Sequence, residues 1–353
     1  MVIMKVALFT LGGTIASTPA PGPVDGRAGH GVAPSLTGAD LVAAIPGLDA
    51  AGAELDVHDV RQVPGSCLTV SDIVGLAAAI RAGVDAGAAG AVVTQGTDTI
   101  EETAFLLDLL WDGDEPVVVT GAMRNPALAG PDGPANVLSA VLVAASPAAR
   151  GLGCLVTFAD EIHAARYVRK AHTTSVAAFT SPSCGPLGLV AEGHVVMLSR
   201  PLTRPGIPVP PAAAAAAVRT AVVTMVLGDD GTLLRSAAGQ LDGLVVAGFG
   251  AGHVPAALAP ELGALAARIP VVIASRTGAG LVLARTYSYP GSERDLRARG
   301  LIGAGILDPL KARLLLHLLL AGGAGREAIA AAFRGAGADL AAASGTGAGE
   351  PAG

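Results

Sequence analysis

The chain has 353 residues, enough for two domains that each bury a core. It is 51% hydrophobic but only 3% aromatic, a composition typical of Val-, Leu- and Ala-rich strands covered by helices on both faces. Its net charge of −6 comes without a Lys/Arg block, which argues against a nucleic-acid partner but not against a small polar ligand.

The cysteines and the amino-terminal sequence bear on the cellular compartment. Cys67, Cys154 and Cys184 are odd in number and lack metal-ligand spacing, so we expect neither a disulfide framework nor a metal site. No stretch of about 18 apolar residues indicates a membrane span, and the first strand begins almost at Met1 without a signal-peptide pattern. These features predict a cytoplasmic protein without a membrane partner.

The first half of the chain alternates between apolar runs and alanine-rich segments of helical period, which predicts βαβ units around a parallel sheet. Strands are expected at 2–10, 91–94, 116–120 and 153–158, and helices at 37–45, 71–82, 100–111 and 135–145.

Five prolines between Ser199 and Pro211 interrupt this alternation. Strand signals then resume at 220–227, 243–249 and 271–274, with helices near 255–268 and 308–320. The pattern predicts a two-domain α/β protein, with a larger N-terminal domain and a smaller C-terminal domain. The expected bounds are 1–198 for the first domain, 199–217 for a Pro/Ala-rich linker, 218–340 for the second domain and 341–353 for a disordered tail.

Two glycine–threonine turns, each directly after an apolar run, are the strongest functional signal. Gly12-Gly13-Thr14 follows the first predicted strand, and Gly96-Thr97-Asp98-Thr99 follows the strand at 91–94. Parallel strands deliver such side chains to the carboxyl edge of the sheet, where ligands bind in open α/β folds. The first turn lacks the spacing of a dinucleotide or phosphate loop. Together the turns predict a site with two threonine hydroxyls.

The second turn also fits a purely structural interpretation. Thr99-x-x-Glu102 and Asp98-x-x-Glu101 both match the capping box, so these residues could simply begin a helix near Ile100. A threonine nucleophile needs a nearby base, and Lys170 is a candidate, although an isolated lysine is more often a solvated surface residue.

Further motifs resolve these alternatives. The segments 10–16 and 95–104 closely resemble the two signatures of the bacterial-type L-asparaginase family. The resemblance continues in order through 119–124, 132–136, Lys170 with Thr173-Thr174, 181–188, 303–309 and 311–313. It covers nearly the whole chain and implies an amidohydrolase that converts L-asparagine to L-aspartate and ammonia, with some L-glutaminase activity and without a metal or organic cofactor.

The resemblance also implies roles for individual residues. Thr14 corresponds to the nucleophile that forms an acyl-enzyme, and Thr97, Asp98 and Lys170 correspond to a second catalytic triad. Asp98 is further expected to bind the substrate α-ammonium, and the N–H of Thr97 to stabilise the oxyanion.

Two more substrate-binding positions follow from the resemblance. Ser66 corresponds to the serine that binds the α-carboxylate, and Glu293 to an acid that reaches a neighbouring subunit's active site. The implied assembly is a homodimer or homotetramer.

Three positions depart from the family pattern. The lid, matched at 29–32, lacks its usual tyrosine, so Tyr287 or Tyr289 is the expected substitute. Cys67 stands where the family has a substrate-contacting glutamine, and His253 is nearest to an expected asparagine. His163 and His172 have no partner at metal-binding spacing and are expected to be structural or surface residues.

Two alternatives remain. An asparaginase-like subunit of a tRNA-dependent amidotransferase would need an additional N-terminal domain and a tRNA-binding surface. A non-catalytic amino-acid sensor would be expected to lose a catalytic hydroxyl or the lysine, whereas Thr14, Thr97 and Lys170 are all present.

Overall fold

The computed structural model describes residues 3–19, 32–204 and 206–337. Two sequence predictions fall outside these ranges: most of the lid match at 29–32, and the tail at 341–353. The chain divides into two compact units, Met1–Pro208 and Val209–Gly353, and the division falls within the predicted linker.

The first unit contains twelve strands and four helices among its described residues. Its strands are β1 Met4–Thr10, β2 Ser17–Pro19, β3 Val32–Pro34, β4 Ala53–Asp59, β5 Gly90–Thr94, β6 Val117–Thr120, β7 Cys154–Phe158, β8 Glu161–Ala164, β9 Arg169–Lys170, β10 Phe179–Thr180, β11 Gly188–Ala191 and β12 His194–Met197. Its helices are α1 Gly38–Ala43, α2 Val70–Asp85, α3 Ile100–Leu110 and α4 Gly133–Ala145.

Eight of these strands form one sheet in the order β12-β11-β8-β7-β6-β5-β1-β4. Five neighbouring strands of this sheet, β4, β1, β5, β6 and β7, are parallel, which confirms the predicted parallel sheet. The sheet then continues with three antiparallel strands that the sequence analysis did not anticipate. This change of direction begins at Ala159 and Asp160, whose positive φ angles of 49° and 64° close a two-residue hairpin.

The central strands could be predicted from the sequence because they are buried. Every residue of β5, β6 and β7 is buried. Helix α3 packs on β6 and β7, while α4 packs on β5, β6 and β7. Strands covered on both faces are continuous apolar runs, as these are. By contrast, β4 is a half-buried edge strand that carries Glu54, Asp56 and His58. Because of these polar residues, it was not predicted from the sequence.

The strand order places a topological switch point between β1 and β5. The chain passes from β1 to β4 on one side, and then to β5 and β6 on the other. Thr10 and Thr94, the last residues of β1 and β5, are paired in register. Ligands of open α/β sheets bind at the carboxyl ends of strands where the order reverses. Both glycine–threonine turns start at this position.

The second unit holds a four-stranded parallel sheet in the order β13-β14-β15-β16. Its strands are β13 Thr220–Thr224, β14 Gly243–Gly248, β15 Val271–Ser275 and β16 Ile302–Gly303. Its helices are α5 Ala212–Ala217, α6 Thr232–Ala237, α7 Ala259–Ala266, α8 Glu293–Ala298, α9 Pro309–Ala321 and α10 Arg326–Gly337. The smaller parallel-sheet domain expected from the sequence is therefore present.

None of the helices described in either unit combines the length and the apolar character needed to cross a bilayer.

Candidate active site

The two glycine–threonine turns lie against each other. Gly13 has φ 85° and ψ −171°, a conformation that is essentially restricted to glycine. A Cβ at this position would overlap the backbone nitrogen and Cα of Gly96. The absence of side chains on both residues therefore lets the backbone before Thr14 touch the backbone before Thr97.

A third glycine brings the predicted carboxylate-binding loop to the same place. A Cβ on Gly65 would lie 2.9 Å from the carbonyl oxygen of Gly96. The hydroxyl of Thr99 donates a hydrogen bond to the Gly65 carbonyl at 3.1 Å and accepts one from the Gln95 amide at 3.1 Å. Ser66 and Cys67, which follow Gly65, are both exposed beside this contact.

Lys170 joins the second turn through its side chain. Its Nζ donates to the Thr97 hydroxyl at 2.9 Å and lies 2.9 Å from Asp98 Oδ1. Thr97 is buried, and the Lys170 side chain is 16% exposed, whereas that of Asp98 is 66% exposed. The structure thus brings together the three predicted triad residues, with a sheltered hydroxyl at one end and an accessible carboxylate at the other.

The backbone at Thr97 adds donors to this arrangement. Residues Thr97–Thr99 form a 3₁₀ turn that leads directly into α3. The first N–H groups of a helical segment have no partner within it, and the helix dipole makes this end positive. The N–H of Thr97 therefore belongs to a group of donors suited to a developing negative charge.

The alternative interpretation of this turn as a capping box is wrong. Thr99 is the residue before α3, yet its side chain makes no capping hydrogen bond within the described part of the chain. Asp98 lies inside the 3₁₀ turn, which rules it out as a cap for α3. The reason is that long-range contacts use these side chains instead: Thr99 bonds Gly65, and Glu101 accepts a hydrogen bond from the Lys170 backbone N–H at 2.9 Å.

Glu101 is a contact that sequence reasoning missed. The capping pattern marked the residue but assigned it a partner three residues away, whereas its partner is 69 residues away along the chain. Glu101 also falls within the segment 95–104 that resembles a family signature, but neither signal identifies Lys170 as its partner.

The remaining predicted site residues form a cluster of their own in the second unit. Glu293 is fully buried: its Oε1 accepts from the Tyr287 backbone N–H at 2.7 Å, and its Oε2 lies 3.2 Å from His253 Nε2. The Tyr289 hydroxyl lies 2.9 Å from His253 Nδ1. A carboxylate only accepts hydrogen bonds, so His253 Nε2 donates to Glu293.

This cluster distinguishes the two tyrosines. Both rings contact the His253 ring edge-on, with centroids 4.9 Å away for Tyr287 and 5.4 Å for Tyr289. Of the two tyrosine hydroxyls, only that of Tyr289 is hydrogen-bonded to His253 in the described part of the chain. Burial, followed by the charges of Glu293 and Tyr287, raises the pKa of Tyr289, so the phenol stays protonated near neutral pH.

Other titratable groups are structural. His163 is fully buried on β8, with Nδ1 3.0 Å from the Ser181 hydroxyl. Burial lowers its pKa to about 4, and the half-exposed Glu161 carboxylate 3.2 Å from Nε2 does not offset this loss of hydration. Cys154 is a buried core residue of β7. Within residues 3–19, 32–204 and 206–337, no group of His, Cys, Asp and Glu side chains is arranged to hold a metal ion.

Comparison with known families accounts for both units. Residues 5–203 match the family model described as asparaginase, N-terminal, and residues 219–333 match the glutaminase/asparaginase C-terminal domain. The chain belongs to the asparaginase family.

Individual asparaginases support the same assignment. A probable L-asparaginase of Deinococcus radiodurans is 39% identical over 334 residues, which cover 93% of this chain and 97% of that protein. An L-asparaginase of Bacillus licheniformis is 35% identical over 326 residues, covering 90% and 95%. The crystal structure of a probable cytoplasmic L-asparaginase from Campylobacter jejuni superposes with a TM-score of 0.81 at 29% identity, covering 94% of this chain and 99% of that one.

Proposed function

We propose that this asparaginase-family protein is an L-asparaginase that hydrolyses L-asparagine to L-aspartate and ammonia through an ester formed on Thr14. The observation that carries the proposal is the contact of the two turns at Gly13 and Gly96, with Lys170 bonded to Thr97 and Asp98. L-Glutamine is a second substrate in this proposal, in keeping with the name of the C-terminal family model.

In the first half-reaction, Thr14 Oγ1 attacks the side-chain amide carbon. The N–H of Thr97 stabilises the negative charge on the carbonyl oxygen. The proton released by Thr14 ends on the amide nitrogen, so the C–N bond breaks and ammonia leaves.

In the second half-reaction, water attacks the ester carbon and L-aspartate leaves. The Thr97 hydroxyl takes the water proton and passes its own proton to Lys170, which serves as the neutral amine in this step and whose Nζ lies within hydrogen-bond distance of that hydroxyl. That proton returns to Thr14 as its oxygen departs. Both half-reactions are balanced without a cofactor.

Substrate binding uses the accessible groups around this centre. The Asp98 carboxylate is two-thirds exposed and is suited to the α-ammonium. The exposed Ser66 is suited to the α-carboxylate. Cys67 lacks an amide, so only its backbone can replace the contacts of the family's glutamine.

We propose Tyr289, rather than Tyr287, as the phenol that assists Thr14. Two hydrogen bonds connect its hydroxyl through His253 to the buried Glu293. Since both Glu293 oxygens are engaged, this acid acts through His253 and Tyr289. Following the family resemblance, we propose a homodimer or homotetramer in which these residues serve a neighbouring subunit's active site.

Mixing experiments test that arrangement. Thr14→Ala and Tyr289→Phe homo-oligomers should each be impaired. Unfolding and refolding them together should restore about a quarter of wild-type activity, because some sites then combine the intact Thr14 of one subunit with the intact Tyr289 of its neighbour. Tyr287→Phe provides the matched control and should keep nearly full kcat. Restoration absent at every mixing ratio, or full kcat in Tyr289→Phe, would reject this part of the proposal.

The location proposed is the cytoplasm, supported by the description of the Campylobacter jejuni neighbour.

Ammonia release from L-asparagine and L-glutamine tests the central proposal. Wild type should release ammonia, while Thr14→Ala and Thr97→Ala should lose at least about 10³-fold in kcat. The exposed Thr232→Ala is a matched control that should retain activity. A wild-type protein that binds L-asparagine without releasing ammonia would instead be an amino-acid sensor.

A further inference from the structure

We propose that Glu101 is a positioning residue that sets the place of Lys170 relative to Thr97. The inference rests on the proposed function of Lys170, and its structural part can be tested independently of activity.

The strand that carries Lys170 is weakly anchored by sheet pairing. Strand β9 contains only Arg169 and Lys170, and it pairs with the two residues of β10. This hairpin is separate from the eight-stranded sheet. One more backbone hydrogen bond, from Ala171 to Ala178, extends the pairing. The position of the Lys170 backbone relative to the central strands must therefore come from other contacts.

Glu101 supplies such a contact from the segment that carries Thr97 and Asp98. It lies in the first turn of α3, four residues after Thr97, and is only 9% exposed. Its Oε2 accepts the Lys170 backbone N–H at 2.9 Å. A carboxylate in the first turn of a helix is stabilised by the helix dipole, and a hydrogen bond to a charged acceptor is stronger than a neutral one.

Lys170 is thus held at both of its ends by one short segment. Glu101 holds the backbone nitrogen, while Thr97 and Asp98 hold Nζ. Because the three partners belong to consecutive turns of the same segment, a movement of that segment carries Lys170 with it. The lysine and the Thr97 hydroxyl therefore keep their separation even though they come from different parts of the chain.

Loss of the carboxylate would remove the hydrogen bond that holds the backbone nitrogen of Lys170. Residues Thr97, Asp98 and Ser66 would stay in place, so substrate affinity should change little. The Lys170 amine would be free to shift, and a misplacement of about 1 Å can cost a factor of about 10² in rate. The predicted signature is a lower kcat with a nearly unchanged KM.

The experiment compares Glu101→Ala, Glu101→Gln and the neighbouring Glu102→Ala. For ammonia release from L-asparagine, Glu101→Ala should lose about 10- to 100-fold in kcat, with KM and the L-aspartate Kd changed by less than about threefold. Glu101→Gln keeps an oxygen acceptor and should restore kcat to within about threefold of wild type. Glu102→Ala tests the effect of losing a carboxylate in the same turn and should stay within about twofold.

A crystal structure of Glu101→Ala gives the readout that does not depend on activity. Lys170 Nζ should move beyond hydrogen-bond distance of the Thr97 hydroxyl, and in Glu101→Gln it should remain within it. An unmoved Nζ, a full kcat in Glu101→Ala, or equal losses in the Ala and Gln variants would overturn the inference. Wild type without ammonia release would contradict the proposed function, while the crystallographic comparison would still decide the role of Glu101. If the Ala variant does not fold, Glu101→Leu replaces it in both measurements.

Discussion

The contact between Gly13 and Gly96 gives the sharpest test of how this site is assembled. Replacing Gly13 by alanine has two costs. The φ of 85° with ψ −171° is strained for any residue with a Cβ, by about 1–3 kcal/mol. The Cβ also overlaps the backbone of Gly96, so the two turns must separate.

Backbone strain at Gly13 should lower the melting temperature, and separation of the two turns should lower kcat. For a domain of this size, about 1–3 kcal/mol lowers Tm by about 2–12 °C in thermal unfolding. Separation of the turns by about 1 Å should lower kcat for ammonia release by about 10²-fold, because Thr14 and Thr97 no longer act on one carbonyl group.

Two matched glycine variants separate strain from crowding. Gly47 has φ 79°, and a Cβ there would meet no atom of the described residues within 4 Å, so Gly47→Ala should lower Tm and leave kcat unchanged. Gly96 has an ordinary φ of −66°, but a Cβ there would lie 2.9 Å from the Gly65 nitrogen, so Gly96→Ala should lower kcat through crowding. A Gly13→Ala protein with wild-type kcat would refute the reasoning.

Two further predictions concern a buried histidine and an exposed thiol. The pKa of His163 is lowered from 6.5 to about 4, so the unfolded chain binds the additional proton, and stability present above pH 6.5 is lost as the pH falls toward 4. The loss should reach up to about 3 kcal/mol. The urea concentration at the unfolding midpoint should therefore fall between pH 6.5 and 4 in wild type and in the exposed His194→Gln variant, and should depend less on pH in His163→Gln. Cys67 is exposed beside Ser66, so L-aspartate should slow its alkylation by a maleimide, measured by peptide mass spectrometry. Alkylation of Cys184, also exposed, should be unaffected; equal protection of both thiols would count against the assigned substrate pocket.

The parts of the fold that the sequence predicted share a physical cause. Strands β1, β5, β6 and β7 are buried on both faces, so a largely apolar run marks each of them. The edge strand β4 was missed because polar residues alternate along it, and β11 and β12 were missed because each has only four residues and is partly exposed.

The site shows the same division between local and long-range information. The glycine–threonine turns were visible because a strand end and its turn are contiguous in sequence. The contacts of Thr99 with Gly65 and of Glu101 with Lys170 span 34 and 69 residues, and no local pattern encodes them. The local pattern is compatible with a capping box, but the side chains of Thr99 and Glu101 form long-range hydrogen bonds instead.

In the proposed mechanism, the Asp98 carboxylate contacts two amino groups, that of Lys170 and the α-amino group of the substrate. Its Oδ1 faces Lys170 at 2.9 Å, yet the side chain stays 66% exposed, so its other oxygen is available to a substrate ammonium. In the proposed mechanism, the sheltered side of the turn holds the proton-transfer pair of Thr97 and Lys170. The exposed side holds the carboxylate that would recognise an α-amino acid. Because Thr97 and Asp98 are consecutive residues, the proposal places substrate recognition and proton transfer at one distance from each other. A substrate would have to match that distance with the separation between its amide and its α-ammonium.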